Sequence, residues 1–409
     1  MLLLVFNAGS SSLKFDLLER TEAGTTLRLK AGAFVDKGDG SGSFALETSP
    51  GPELASPAPP LPAAPIRSLA AAADFVLAWL ADESAHGRNF LSEVAATVHR
   101  VVHGGELFRA TTRLGPAELA SLAKLDELAP LHNPPALAVI ASVRARLGGS
   151  LPLIGVFDTA YYAKLPEAAW RYAVPDSWYR DFGVRRYGFH GTAHRYLCAT
   201  ARTRVLPGKP TAKVVSLQLG RGCSVTATLD DAPVATSMGF TPVEGLVMGT
   251  RSGDFDPGAL LHVMEHAGLS PAQMRAALNT ESGLKALSGG CADMQELLRR
   301  EQQGDAGAQL AIEIFCRRAR HYLGAFTCEL GGVDVIAFGG GIGENSAEIR
   351  RRIVHGLEWA GISIDEQANR ARDAGSIGAP DSWAAVEVVR VDEASVLAEE
   401  AAALLARAA

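Results

Sequence analysis

Residues 1–6 (MLLLVF) are apolar without interruption, whereas from Leu13 to Leu17 apolar and polar positions alternate, with Lys14 and Asp16 between Leu13, Phe15 and Leu17. The first pattern predicts a strand buried on both faces and the second a half-buried strand. The turn between them, Asn7-Ala8-Gly9-Ser10-Ser11-Ser12, holds an amide, three hydroxyls and a glycine and is followed by Lys14. Such a turn reads equally as an ordinary hairpin or as an anion cradle. It lacks the second glycine directly before the lysine, and the helix behind it, that a Walker A loop requires. The design recurs later: an apolar run at Val214–Leu219, the turn Gly220-Arg221-Gly222-Cys223-Ser224, and the alternating stretch Val225–Leu229. A repeat of this kind points to two related halves facing each other across a cleft.

Between and beyond these hairpins the apolar period switches between strand and helix. Leu69, Phe75, Val76, Trp79 and Leu80 mark a helix over Ser68–Asp82, and Val94–Val102 a strand that leads into His103-Gly104-Gly105-Glu106. Helices are expected at Pro116–Leu128 and Ala136–Leu147, joined by a rigid turn at Ala129–Pro135. A short strand at Leu151–Val156 follows, ending in Phe157-Asp158-Thr159-Ala160. A helix is expected to follow His194, and others at Gly258–Ala267, Pro271–Asn279 and Ala306–Leu330. Val333–Phe338 reads as a buried strand. The glycine turn Gly339–Ser346 follows it and opens a helix near Ala347, and the chain closes with a strand at Val386–Val391 and a helix from Asp392. Ser49–Pro65 is Pro- and Ala-rich and reads as a surface loop.

At 409 residues the chain is long enough for two domains, and 47% apolar with 21% charged residues is ordinary for a globular protein. A net charge of -6 excludes a global basic field for nucleic acid. The five cysteines are scattered and none forms C-x-x-C, so reduced thiols and no zinc site are expected. No apolar stretch reaches membrane-spanning length, and the N-terminal run is too short for a signal segment. A cytoplasmic protein without membrane or nucleic-acid partners is the expectation.

Candidate chemistry gathers at the turns. The strand–glycine run–helix at Gly339–Ser346 offers backbone N–H groups and the positive end of a helix dipole to a phosphate, although Asn345 and Ser346 also read as caps. Arg100 and Arg251 each stand beside a glycine-rich turn and suit a carboxylate or phosphoryl group, or an internal ion pair. His190, between Phe189 and Gly191, reads first as a core histidine, as do His99, His103, His132 and His194. Asp158 has metal, base and buried hydrogen-bond readings. The tract 237–254 is glycine-dense and poor in charge, as expected of loops pinned against something. No G-x-S-x-G and no Ser-His-Asp arrangement is present. Several phosphate-friendly turns with arginine, histidine and acids suit phosphoryl transfer.

At this point the residues resemble the acetate and propionate kinase family. The likeness is carried by Asn7–Lys14, His99–Glu106, Leu131–Pro135, Phe157–Ala160, Tyr187–Gly191, Ser237–Pro242, Met248–Arg251 and Gly341–Asn345, in order along the whole chain. It implies an α/β protein with a duplicated ribonuclease-H-like (actin-like ATPase) fold of the actin, sugar-kinase and Hsp70 superfamily, two lobes around a cleft. The expected lobes are 1–150, joined by the last helix at about 393–409, and 151–392. The implied reaction is ATP plus acetate, or another short-chain carboxylate, giving ADP and the acyl phosphate, with Mg²⁺ or Mn²⁺, in a homodimer. By matching position, Asn7 and Glu393 would hold the metal and Lys14 a phosphate. Arg100 would bind the substrate, Asp158 would be the acid or base, and His190 and Arg251 would stabilise the transition state. Val102, Leu131, Phe189 and Pro242 would surround the acyl methyl group. Gln218, Leu219, Gly220, Arg221 and Gly222, with Asp293, Met294 and Gln295 and with Gly341, Ile342, Gly343, Glu344 and Asn345, would hold the nucleotide.

Three positions depart from the family pattern. Gln218 and Arg221 stand where the family's phosphate loop has histidine and asparagine, and Gln295 stands where it has an arginine. All three fall on the donor side. Three readings follow: an ATP-dependent acetate kinase; an acyl kinase that uses pyrophosphate or another donor, or prefers propionate or butyrate; and a non-catalytic nucleotide-binding paralogue.

Overall fold

The computed structural model describes residues 1–9, 11–21, 26–36, 42–47, 66–371 and 374–408. The Pro/Ala-rich stretch 49–65 lies outside the described residues. The chain divides into two compact units, Met1–Ala163 with Asp392–Ala409, and Lys164–Val391. The first boundary lies beyond residue 150 because Leu153–Phe157 pairs in parallel with the strand ending at Val101.

The first unit is built on a sheet of β1 (Leu2–Ala8), β2 (Ser12–Arg20), β3 (Thr26–Asp36), β4 (Gly42–Glu47), β5 (Val94–Val101), β6 (Thr112–Arg113) and β7 (Leu153–Phe157). Its order is β4-β3-β2-β1-β5-β7-β6. β1 to β4 form an antiparallel meander, while β1, β5 and β7 run parallel. The apolar run of β1 is explained by its two covered faces. Leu2, Leu4, Phe6 and Ala8 pack with residues of the helices Leu69–Ala81 and Asn133–Leu147. Leu3 and Val5 pack on the opposite face against Ala394, Leu397, Ala398 and Ala401 of the helix Glu393–Ala408. That second contact fixes the position of Glu393, the first residue of the helix.

The second unit repeats the design. β8 (Lys213–Leu219), β9 (Cys223–Leu229), β10 (Ala232–Thr236), β11 (Val335–Gly339), β12 (Gly375–Ser376) and β13 (Ala385–Val388) are ordered β10-β9-β8-β11-β13-β12. As in the first sheet, an antiparallel run, here the three strands β10, β9 and β8 where the first sheet has four, continues into parallel strands, here β8, β11 and β13. This shared core order is the duplicated ribonuclease-H-like fold. The helix Gly191–Val205 packs Leu197, Cys198 and Ala201 against Val214, Val335 and Ala337. Among the described residues, no helix is long and apolar enough to cross a membrane.

Two local expectations change. The Asn133-Pro134-Pro135 segment is the first turn of the helix Asn133–Leu147 rather than a turn before it. First-turn N–H groups have no intrahelical acceptor, so proline loses nothing there and its fixed φ suits the helix. The glycine run is likewise helical over Gly340–Asn345, and Ser346 then caps a further helix, Ala347–Val354, by accepting from Ile349 N.

Candidate active site

In the first unit the candidate residues sit where parallel strands end, the usual ligand position in such sheets. Asn7 on β1 and Arg100 on β5 are register partners, and Asp158 directly follows β7. Arg100 Nε and Nη2 donate to the two carboxylate oxygens of Asp158 at 2.8 and 2.6 Å. Its Nη1 donates to Asn7 Oδ1 at 3.0 Å, and Asn7 Nδ2 donates to Glu393 Oε2 at 2.7 Å. One connected chain therefore joins Asp158, Arg100, Asn7 and Glu393. Asp158 is fully buried, and the Arg100 side chain is only 13% exposed. Burial alone would lower the pKa of Arg100, but the charges of Asp158 and Glu393 outweigh it and hold the guanidinium above its ordinary value. Asp392 beside Glu393 is occupied separately, accepting from Ser395 N at the helix start and pairing with Arg28 at 2.8 Å.

The Glu393 carboxylate is a hard oxygen donor held beside the Asn7 amide, which donates to it from Nδ2 and whose own Oδ1, a second hard oxygen, accepts from Arg100. These oxygens suit Mg²⁺, which takes one or two carboxylates and completes its shell with water and phosphate oxygens. Lys14 lies opposite Asn7 on β2 and is exposed, so the pair shares one face of the sheet. Val102 is buried just past β5, whereas Leu131 is exposed.

Two residues that the motif reading gave no role hold this region in shape. Asn133 Oδ1 accepts from His103 N at 3.2 Å while its Nδ2 donates to His103 O at 3.0 Å. Thr159 Oγ1 accepts from Gly104 N at 2.9 Å. Gly104 has no room for a side chain, since a Cβ there would meet Phe108 O at 2.6 Å. The glycine turn after β5 is thus tied to the start of one helix and to the residue beside Asp158.

In the second unit the glycine turns meet. A Cβ on Gly340 (φ +76°) would stand 2.6 Å from Leu219 O, and one on Gly222 would stand 3.2 Å from His190 Nε2 and 3.6 Å from Arg251 Nη1. The turn Gln218–Gly222, the Gly340 turn, His190 and Arg251 therefore form one neighbourhood. His190 adopts a left-handed conformation (φ 56°, ψ 30°), which costs a non-glycine residue about 1–3 kcal/mol. Its Nδ1 is 2.8 Å from Ser224 Oγ. Arg251 Nη1 donates to Pro242 O at 3.3 Å, and burial lowers the Arg251 pKa. Phe189 and Pro242 are buried.

The remaining donor-side candidates divide. Leu219 and Met294 are buried, and Arg221 and Gln295 are exposed. Gly220 and Ile342 are half-buried and Gly343 is buried, whereas Gly341 and Asn345 are exposed. Gln218 Oε1 is a buried acceptor without a hydrogen-bond partner among the described residues. Asp293 caps the helix Met294–Gln302, accepting from Glu296 N at 2.9 Å. The Glu344 carboxylate turns back to accept from Gly340 N at 3.0 Å and Val391 N at 3.2 Å. It braces the glycine turn from behind. Arg350, 1% exposed, donates to Gly343 O, Glu344 O and Asn369, fixing the far end of the same short helix. The pinned tract 237–254 behaves as its composition suggests: Gly245 and Gly253 lie against backbone with no space for a Cβ.

The description "Acetokinase family" belongs to the family model that matches residues 2–399. The acetate kinase of Solibacter usitatus is 43% identical over 410 residues, covering 98% of this chain and 97% of its own. That of Phocaeicola vulgatus is 38% identical over 99% of this chain and 100% of its own. Among solved structures, Porphyromonas gingivalis acetate kinase is 34% identical with a TM-score of 0.83, covering 99% of each chain. A propionate kinase from Francisella tularensis is 31% identical with a TM-score of 0.86, covering 98% of each chain.

Proposed function

The chain belongs to the acetokinase family, and on that footing we propose that it transfers the γ-phosphoryl group of ATP reversibly to acetate, giving acetyl phosphate and ADP. It is a phosphotransferase with a carboxyl group as acceptor. The observation that supports the site assignment most directly is the connected chain Asp158–Arg100–Asn7–Glu393.

In this reading Arg100 presents its guanidinium to the acetate carboxylate, the planar partner it recognises best. One carboxylate oxygen attacks the γ-phosphorus, and the bond to the β–γ bridging oxygen breaks as ADP leaves. Acetate at neutral pH is already an anion and has no proton to give up. Asp158, bound through both oxygens to Arg100, therefore serves to orient that guanidinium rather than as an acid or base. His190 and Arg251 direct N–H donors at the transferring group, whose charge must be met in the transition state. Lys14 contacts phosphate. On the first unit Val102 and Leu131 are our candidates for contact with the acyl methyl group; on the second, Phe189 and Pro242. Asn7 and Glu393 would hold Mg²⁺, which supplies charge neutralisation to the phosphates when bound. Gln218–Gly222, Asp293–Gln295 and Gly341–Asn345 would hold the nucleotide, largely through backbone in view of how Glu344, Asp293 and Met294 are engaged.

Arg221 favours keeping a second donor in view. An exposed arginine between two glycines of the phosphate turn adds positive charge where a donor's phosphates would lie, which suits pyrophosphate as well as ATP. Trapping the acyl phosphate as its hydroxamate, with ATP, GTP and pyrophosphate in parallel, separates the donors. Folded protein that makes no product with any of them would leave only the non-catalytic reading.

We further propose a cytoplasmic homodimer. All five cysteines are free thiols, as a reducing compartment requires. The helix Pro257–Ala267 carries Leu260, Leu261, Val263 and Met264 yet has no buried residue, which is the surface a second copy would cover. Light scattering of the purified protein tests the dimer.

A further inference from the structure

Behind His190 the second unit holds an unbroken line of buried hydrogen bonds. Ser224 Oγ lies 2.8 Å from His190 Nδ1 and 2.7 Å from His194 Nε2. His194 Nδ1 lies 2.7 Å from Ser216 Oγ, and Cys198 Sγ donates to Ser216 Oγ at 3.3 Å. His194, Ser216 and Ser224 are fully buried and Cys198 almost so. The placement is systematic. His194 and Cys198 are four residues apart on one face of the helix Gly191–Val205, and His190 is the left-handed residue that precedes its first turn. Ser216 pairs with Thr226 and Ser224 with Gln218, so both serines lie on one face of the β8–β9 hairpin, the hairpin whose turn is Gly220–Gly222.

A serine hydroxyl has a single hydrogen, so Ser224 donates to one of the two rings and accepts from the other. If it donates to His190 Nδ1, the hydrogen of a neutral His190 sits on Nε2, and His194 donates from its own Nε2. His194 Nδ1 then accepts from Ser216, which accepts in turn from Cys198. If Ser224 points the other way, His190 donates from Nδ1, His194 accepts at Nε2 and donates from Nδ1, and the Ser216 hydroxyl turns to Thr226 O, 3.3 Å away, while still accepting from Cys198. The two orientations place the hydrogen on opposite nitrogens of a neutral His190. His190 Nε2 is the nitrogen that lies against Gly222 and Arg251. A phosphoryl oxygen only accepts, so there a neutral imidazole is useful with hydrogen on Nε2 and not otherwise.

We infer that His194 is a positioning residue for the phosphoryl transfer: acting through Ser224, it holds His190 in a single tautomer, which the donor reading requires to be the Nε2–H form. This rests on the reading of His190 as a donor to the transferring group. His194 suits the task because burial, with the neighbouring His190 ring, holds its pKa well below the ordinary value and keeps it uncharged.

The test uses full-length protein labelled with ¹⁵N-histidine, in which two-bond proton–nitrogen correlations identify each ring's tautomer. His190 and His194 are both expected to carry hydrogen on Nε2. In Ser224→Ala, His190 is expected to lose its single tautomer. kcat should fall roughly tenfold to a hundredfold, with KM for acetate and ATP within about twofold of wild type. Hydrogen on Nδ1 of His190 in the wild type overturns the inference, as does a Ser224→Ala protein with tautomer and kcat unchanged. Should the variant fail to fold, the wild-type spectrum alone decides. An unaltered kcat in His190→Ala, by contrast, would remove the donor role of His190 while leaving the measured tautomer standing.

Discussion

Asp158 and Arg100 are joined by two parallel hydrogen bonds, 2.6 and 2.8 Å long, on a carboxylate with no exposure to solvent. Removing one member of a buried pair strands the other, at a cost of about 3–5 kcal/mol. Asp158→Ala is therefore expected to lower the unfolding free energy by about that much and to raise KM for acetate, because Arg100 loses its orientation. Arg100→Ala should raise KM similarly, and the double variant should be destabilised by less than the sum of the singles. Urea denaturation of the three proteins checks this. Strict additivity would show that the pair is not coupled.

Asn7 and Glu393 come from opposite ends of the chain and meet at 2.7 Å. If they hold the metal, Glu393→Gln and Asn7→Ala should weaken Mg²⁺ dependence without disturbing acetate binding. The expected result is a rise of about tenfold or more in the Mg²⁺ concentration that half-saturates ADP-induced thermal stabilisation. An unchanged Mg²⁺ titration would remove both residues from the metal site.

Arg251 meets charge that develops in the transition state in the proposed reaction, so its loss should appear in kcat rather than in KM. Arg251→Ala is expected to lower kcat by about 10²–10³-fold. Steady-state kinetics in both directions provide the check; a variant with raised KM and normal kcat would make Arg251 a binding residue only.

Arg221→Asn removes an exposed positive charge from the glycine turn after β8. The expected outcome is an increase in kcat/KM for ATP. A decrease, read in the same assay with ATP and pyrophosphate, would show that Arg221 is matched to the present donor.

Two buried histidines set an acid limit on stability. Burial brings His99 down to about 3 and His103 to about 4, from an ordinary 6.5. Between about pH 6.5 and 4 the unfolded chain takes up protons on these rings and the native protein does not. Their contribution is therefore complete above pH 6.5 and lost as pH falls, with a slope approaching about 1.4 kcal/mol per pH unit for each ring. His99→Gln should flatten the fall in unfolding free energy between pH 6.5 and 5. A variant with the wild-type slope would contradict the assignment.

The hairpins and the parallel strands were legible because their signals are local: β1 and β8 are apolar runs and their partners alternate in sequence, although only β2 is half-buried and β9 is buried up to Thr228. The many short motifs were legible because each lies at a strand end or a glycine turn. What could not be read were roles created by tertiary contact. Nothing near Asn133 indicates that it clasps the backbone of His103, and nothing near Glu344 indicates that its carboxylate turns to Val391 N. His194 read as a core histidine, and it is buried. Its two serine partners come from strands separated from it in sequence, so their effect on His190 was hidden. The four-residue spacing of His194 and Cys198 on the helix that His190 opens was the available signal.

Phosphorus-31 NMR of the purified full-length protein with ATP, acetate and Mg²⁺ tests the central claim most directly. The resonances of acetyl phosphate and ADP should grow together as the γ-phosphoryl signal falls, and the reaction should run backwards from acetyl phosphate and ADP. The same mixture with Arg100→Ala should show this at a greatly reduced rate. Release of inorganic phosphate without acetyl phosphate, or no change in the ATP signals with folded wild-type protein, would contradict the account.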